Sequence, residues 1–152
     1  MKVRIEVLVA VAAMACASFA KDVPYPSEKL AAFVVEKLDV TSLPSAYRPK
    51  KQKGKKTLAN YGYTVQKLDE NEALVETASA ARRLSIRILQ EGVTGIYACM
   101  AERTRNGGDP KVQSVILLKR KDSNELLKGR ETWREFKSCP VIGEIESDSG
   151  SY

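Results

Sequence analysis

The sequence predicts an α+β domain, with one N-terminal amphipathic helix packed on an antiparallel meander sheet of five or six strands. Three observations carry this. Leu84, Ile86 and Ile88 alternate with Arg83, Ser85 and Arg87, a period of two that places apolar side chains on one face of a strand. After Gln90-Glu91-Gly92 an almost continuous apolar run, Val93 to Ala101, reads as a strand buried on both faces near the middle of a sheet. Upstream, Leu30, Phe33, Val34 and Leu38 follow helical spacing, with Lys29, Glu36 and Lys37 on the opposite side.

Residues 1–20 have the anatomy of a secretory signal peptide. Lys2 and Arg4 form a short basic region, Val7 to Ala15 form the apolar stretch, and Ser18 and Ala20 stand at the −3 and −1 positions before Lys21. The apolar stretch is shorter than the ~20 residues that a membrane-spanning helix needs. Lipid anchoring at Cys16 is the variant reading, with Ala13-Met14-Ala15 supplying small residues but not the usual branched one. The expected organisation is therefore a signal at 1–20, a single α+β domain at 21–143 and an acidic, disordered tail at 144–152. Without residues 1–20 the chain holds 23 bases and 18 acids, a mild basic excess. It also keeps two of its three cysteines, Cys99 and Cys139, which in a secreted or periplasmic compartment are expected to form a disulfide. Two buried free thiols are the alternative.

Along the domain, Lys21 to Pro26 reads as an extended lead-in because two prolines remove donors. Ser27 stands where an N-cap belongs, ahead of about three helical turns ending near Leu38. The helix gives way at Asp39-Val40-Thr41, and residues 42–56 read as an irregular segment punctuated by Pro44 and Pro49. Leu58 to Lys67, with Tyr61, Tyr63 and Val65 alternating, predicts a first strand, and Ala73 to Thr77 a second. The Arg82–Arg103 pair follows, then a turn at Arg105-Asn106-Gly107-Gly108-Asp109-Pro110 and a strand at Val112 to Lys119. Residues 125–136 fit either strand or helix; strand is preferred, with Gly129 as a bulge and Trp133 and Phe136 packing back onto the sheet.

The strongest charge feature is Arg48 to Lys56, where Arg48, Lys50, Lys51, Lys53, Lys55 and Lys56 stand without an acid. Such a block reads as a solvated connector or as an anion-binding loop. Gly54-Lys55-Lys56 lacks the upstream glycine and the following hydroxyl residue of a phosphate loop.

The chain contains no histidine, which excludes imidazole-activated serine or cysteine nucleophiles and the commonest zinc ligand. No metal site, cofactor site or catalytic residue is predicted. A carboxylate pair for glycoside chemistry has candidates in Glu91, Glu102, Glu131 and Glu135, but nothing in the sequence pairs two of them. Trp133, the single tryptophan, is expected in the core; exposed, it would stack on a sugar ring or a cation. The sequence thus points to an exported, non-catalytic binding or interaction protein. The alternatives are a structural or accessory envelope protein and, last, a carboxylate-dependent hydrolase. Anionic envelope material or a protein partner fits the charge. Nucleic acid does not, because an exported protein rarely meets it.

Overall fold

The computed structural model describes residues 25–92, 94–103 and 109–143. The signal-like segment, Cys16, most of the Arg105–Pro110 turn and the acidic tail lie outside them.

The architecture differs from the expected helix over five or six antiparallel strands. Among the described residues it is one seven-stranded mixed sheet, curled into a half-barrel, with a single α-helix. The helix α1 (Leu30–Lys37) is followed by β1 (Leu38–Asp39), β2 (Tyr63–Leu68), β3 (Glu72–Thr77), β4 (Arg83–Gly92), β5 (Gly95–Arg103), β6 (Val112–Lys119) and β7 (Leu127–Glu131). Strand order is β1-β7-β6-β5-β4-β3-β2, so β5 occupies the middle. Strands β2 to β7 form the antiparallel meander. The mixed character comes from β1, which pairs parallel to β7 through Leu38↔Leu127 and Asp39↔Lys128. A strand of two residues has no readable period, and parallel pairing here joins positions far apart in the chain.

The helix is shorter than expected for the same reason. Leu38 continues the apolar spacing, but its backbone is extended (φ −68°, ψ 122°) and it opens β1. Nor does Ser27 cap the helix. Lys29 holds the N-cap position with φ 54° and no side-chain bond, while the Ala31 amide donates to the Glu70 carbonyl oxygen at 3.1 Å. The start of α1 is therefore set by docking on the β2–β3 turn, a tertiary contact.

With only two helical turns, α1 covers the sheet over β3 and β4. The rest of the inner face is covered by the irregular segment after it. Val40, Leu43, Tyr47 and Leu58 are buried against Ile86, Ile96, Met100, Ile116, Leu118 and Leu127. This segment has no hydrophobic periodicity, yet it supplies much of the core. Local bonds hold its first turn: Asp39 Oδ1 accepts from the Thr41 amide at 3.0 Å, and the Ser42 hydroxyl donates to the Asp39 carbonyl at 2.6 Å. The same Ser42 Oγ accepts from the Gly129 amide at 2.8 Å, tying the segment to β7. Gly129 is no bulge. It pairs regularly with Leu118, and a Cβ there would lie 2.6 Å from Leu43 Cδ2, so the segment packs directly on a bare backbone. The bulges occur instead between Ile88 and Gln90 and between Val65 and Lys67.

The first strand also differs from its expectation. Ala59–Tyr61 forms a 3-10 turn, closed by Gly62 at φ 76°, and β2 begins only at Tyr63. Asn60 Oδ1 accepts from the Lys56 and Thr57 amides at 3.3 and 3.2 Å, and this side-chain capping competes with extended pairing. The later strands follow the alternation closely. Val112–Lys119 is a strand over the expected residues, and β4 and β5 pair from Arg83↔Arg103 to Gly92↔Gly95.

Candidate functional site

The basic loop is an ordered excursion between Tyr47 and Leu58, both buried. Its backbone is tied at several points. The Arg48 amide donates to the Pro44 carbonyl at 3.0 Å, the Lys55 amide to that of Gln52 at 3.2 Å, and the Val40 amide to that of Lys56 at 2.9 Å. Arg82 holds the entry from outside, its guanidinium donating to the carbonyls of Ala46 at 2.8 Å and Arg48 at 3.2 Å and to Glu102 Oε1 at 3.1 Å. The Gln52 amide donates to the Tyr61 hydroxyl at 3.1 Å, and Lys55 lies over the Tyr61 ring at 5.9 Å. Arg48, Lys50 and Lys51 share a shallow depression of about 500 Å³ with Ser45 and Pro49; Lys53, Lys55 and Lys56 stand outside it. The side chains of Lys50, Lys51, Lys53, Lys55 and Lys56 are exposed, and none of the five forms an ion pair among the described residues.

On the outer face of the sheet the structure joins Cys99 and Cys139 in a disulfide, as expected, with Cα atoms 5.7 Å apart. The bridge fastens the segment after β7 across the strands. The Gln113 side chain donates to the Pro140 carbonyl at 2.8 Å, Ile142 bridges Gln113 by two bonds of 2.9 Å, and Arg87 donates to the Ser138 carbonyl. Beside this strap lies a groove of about 290 Å³ whose lining includes Arg83, Arg87, Arg103, Ser85 and Gln113. Arg83 and Arg103 are direct cross-strand neighbours, a like-charge placement that is unfavourable without compensation. Glu76 supplies it, accepting from Arg83 at 2.8 Å, and Arg103 donates to Ser85 Oγ at 3.3 Å. The alternation marks Arg83 and Arg87 as outward-facing. That Arg103 joins them depends on the register of β5, which the sequence does not display.

The strap also carries Trp133, which is not in the core: it is 95% exposed. The Thr132 amide donates to the Val115 carbonyl at 3.2 Å, and the Arg134 amide donates to Thr132 Oγ1 at 3.2 Å. Arg134, itself exposed, lays its guanidinium over the half-buried rings of Tyr97 and Phe136, at 4.7 and 5.1 Å. The Tyr97 hydroxyl is held below its ordinary pKa, chiefly by its bond to Arg134. Trp133, Arg134 and Glu135 are all exposed, so this part of the strap shows no in-and-out alternation. Trp133 and Val141, itself 64% exposed, line a broad cleft of about 900 Å³ together with Glu131, Thr132, Arg134 and Glu135. Burial pushes the Glu131 carboxyl above the usual carboxylate range.

Of the four candidate carboxylates, Glu131 and Glu135 thus share a cleft. Glu102 is bound by Arg82, and Glu91 is exposed at the far end of β4. Among the described residues no three Cys, Asp or Glu side chains gather as a metal site, and no helix is long and apolar enough to cross a membrane. The exposure of Trp133 leaves no trace in the sequence, because it depends on where the disulfide and Arg134 pull the strap. In comparison with known proteins, the chain matches no family model, no curated protein and no solved structure.

Proposed function

We propose that the protein is an exported, non-catalytic binding module that captures anionic polymeric material of the cell envelope on the loop Arg48–Lys56. The observation that carries this is the loop itself: five lysine ammonium groups, exposed and without carboxylate partners among the described residues, on a backbone tied at both ends. Ammonium groups that neutralise no internal acid remain available to an external one. A tied backbone removes part of the ordering cost that a mobile loop would bear on binding. The disulfide is compatible with an extracellular or periplasmic location. Export itself rests on the signal-like residues 1–20, and a mature N-terminus at Lys21 in protein recovered from its host checks it. A structural or accessory envelope role is the alternative, in which the loop is only a connector.

The deciding experiment replaces Lys50, Lys51, Lys53 and Lys55 together by glutamine and measures retention on immobilised heparin. Exposed charges act over a Debye length of about 8 Å at physiological ionic strength, so binding should be salt-sensitive. The expected result is earlier elution, with a weaker salt dependence and an unchanged melting temperature. Unaltered retention in a folded variant removes the proposal.

A further inference from the structure

We infer that the Trp133 cleft is a second binding site, for a ring of a neutral saccharide, with the Trp133 indole as stacking platform and the carboxylates of Glu131 and Glu135 as hydroxyl acceptors. The site lies on the outer-face strap, and the inference stands independently of the anion-binding loop.

Trp133 stands in solvent on a segment tied at both ends. Its segment is bound on one side by the Thr132–Val115 and Arg134–Thr132 hydrogen bonds and by the stacking of Arg134 on Tyr97 and Phe136. On the other side it is bound by the Phe136–Cys139 bridge, the Cys99–Cys139 disulfide and the Ile142–Gln113 pair. On this tied segment Trp133 is 95% exposed, so the indole faces are open to a ligand. A tied backbone reduces the ordering cost of binding, and an indole has only two side-chain torsions to fix.

Exposed apolar residues scattered singly need no explanation, but Trp133 and Val141 border the same cleft. Its volume of about 900 Å³ falls within the range of small-ligand sites. One face of a sugar ring presents C–H bonds of slight positive charge, which suit the negative face of an indole. The ring edge presents hydroxyl hydrogens, which suit carboxylate oxygens that only accept.

The charge of the lining selects among ligands. Glu131 and Glu135 are balanced by Arg134 and Lys137, so the cleft has no net charge to draw a phosphate or sulfate chain, unlike the basic loop. A protein partner needs roughly 800 Å² of complementary surface per side, with an apolar centre. Here the apolar lining is a few side chains among Glu131, Glu135, Arg134 and Lys137. A neutral polyol meets neither objection.

Trp133 is the single tryptophan, so its emission reports on the cleft directly. Titration of the full protein with neutral β-linked oligosaccharides, cellotetraose and chitotetraose, should shift that emission saturably, with a Kd of about 1 mM or tighter. Added salt should leave the affinity unchanged, as should the four lysine-to-glutamine changes in the loop. By calorimetry, Trp133→Ala should weaken binding at least about tenfold while the melting temperature holds, because the side chain is almost wholly exposed. Glu135→Gln should weaken it less, since the amide still offers an acceptor. No saturable response to either oligosaccharide overturns the inference. So does equal binding by Trp133→Ala, or a response to anionic polymers alone that salt abolishes.

Discussion

The Tyr47 hydroxyl donates to the Met100 carbonyl oxygen at 3.1 Å across the core, and its oxygen lies 3.1 Å from Ser114 Oγ. With its one hydrogen committed to Met100, Tyr47 accepts from Ser114. Met100 and Ser114 are themselves partners on β5 and β6, so this one side chain pins the irregular segment to the middle of the sheet. All three groups are removed from water, and each polar atom is satisfied by the others.

This arrangement predicts an alkaline limit to stability. Burial pushes the Tyr47 hydroxyl from 10.0 up to about 12. The native state therefore keeps its proton where the unfolded chain has begun to lose one. The contribution is fully present below pH 10 and is lost as pH rises from 10 to about 12. Denaturant unfolding at about pH 8 and about pH 11 should show the wild type losing about 1.4 kcal/mol more between them than Tyr47→Phe does. At the lower pH, Tyr47→Phe should cost about 1–3 kcal/mol, because the Met100 carbonyl loses the Tyr47 donor and Ser114 loses its Tyr47 acceptor. Parallel pH profiles for the two proteins would contradict the assignment.

The Cys99–Cys139 bridge closes a separation of 40 residues, worth about 4 kcal/mol in the chain-entropy account. Cys139→Ala should lower the melting temperature strongly under oxidising conditions and far less under reducing ones. Because the strap hangs on this bond, hydrogen exchange should rise at residues 132–142 before it rises in β4 and β5. Uniform loosening of the sheet would show that the bridge supports the core and not the strap.

Arg82 is the outside anchor of the basic loop, with three acceptors around one guanidinium. Arg82→Lys cannot span this fork, and Arg82→Ala also leaves the Ala46 and Arg48 carbonyls without that donor. We expect a loss of about 1–3 kcal/mol for Arg82→Ala, together with faster amide exchange across residues 48–56. If loop exchange is unaltered while stability falls, the arginine acts through Glu102 alone.

The elements that the sequence determined by itself are those whose logic is local. Alternation within a strand decides which residues face the core, so Val112–Lys119, Arg83–Gly92 and the central place of β5 were legible from period and apolar content. The disulfide was legible by arithmetic, since a pair of cysteines in an oxidising compartment has one way to close. The charge of the loop was legible too, being composition alone. Everything that required two distant pieces of chain to meet was decided by tertiary structure. Leu38 kept the helical spacing and yet left the helix, because Leu127 offered it a parallel strand partner. Val40, Leu43, Tyr47 and Leu58 follow no period, and they form core because a two-turn helix leaves the inner face of a curled sheet uncovered. Burial of apolar area is indifferent to the regularity of the segment that supplies it. Trp133 stands at the other extreme. Its hydrophobicity called for the interior, but it lies on a strap held to the outer face by the disulfide and the Arg134 stack, and there its side chain is exposed.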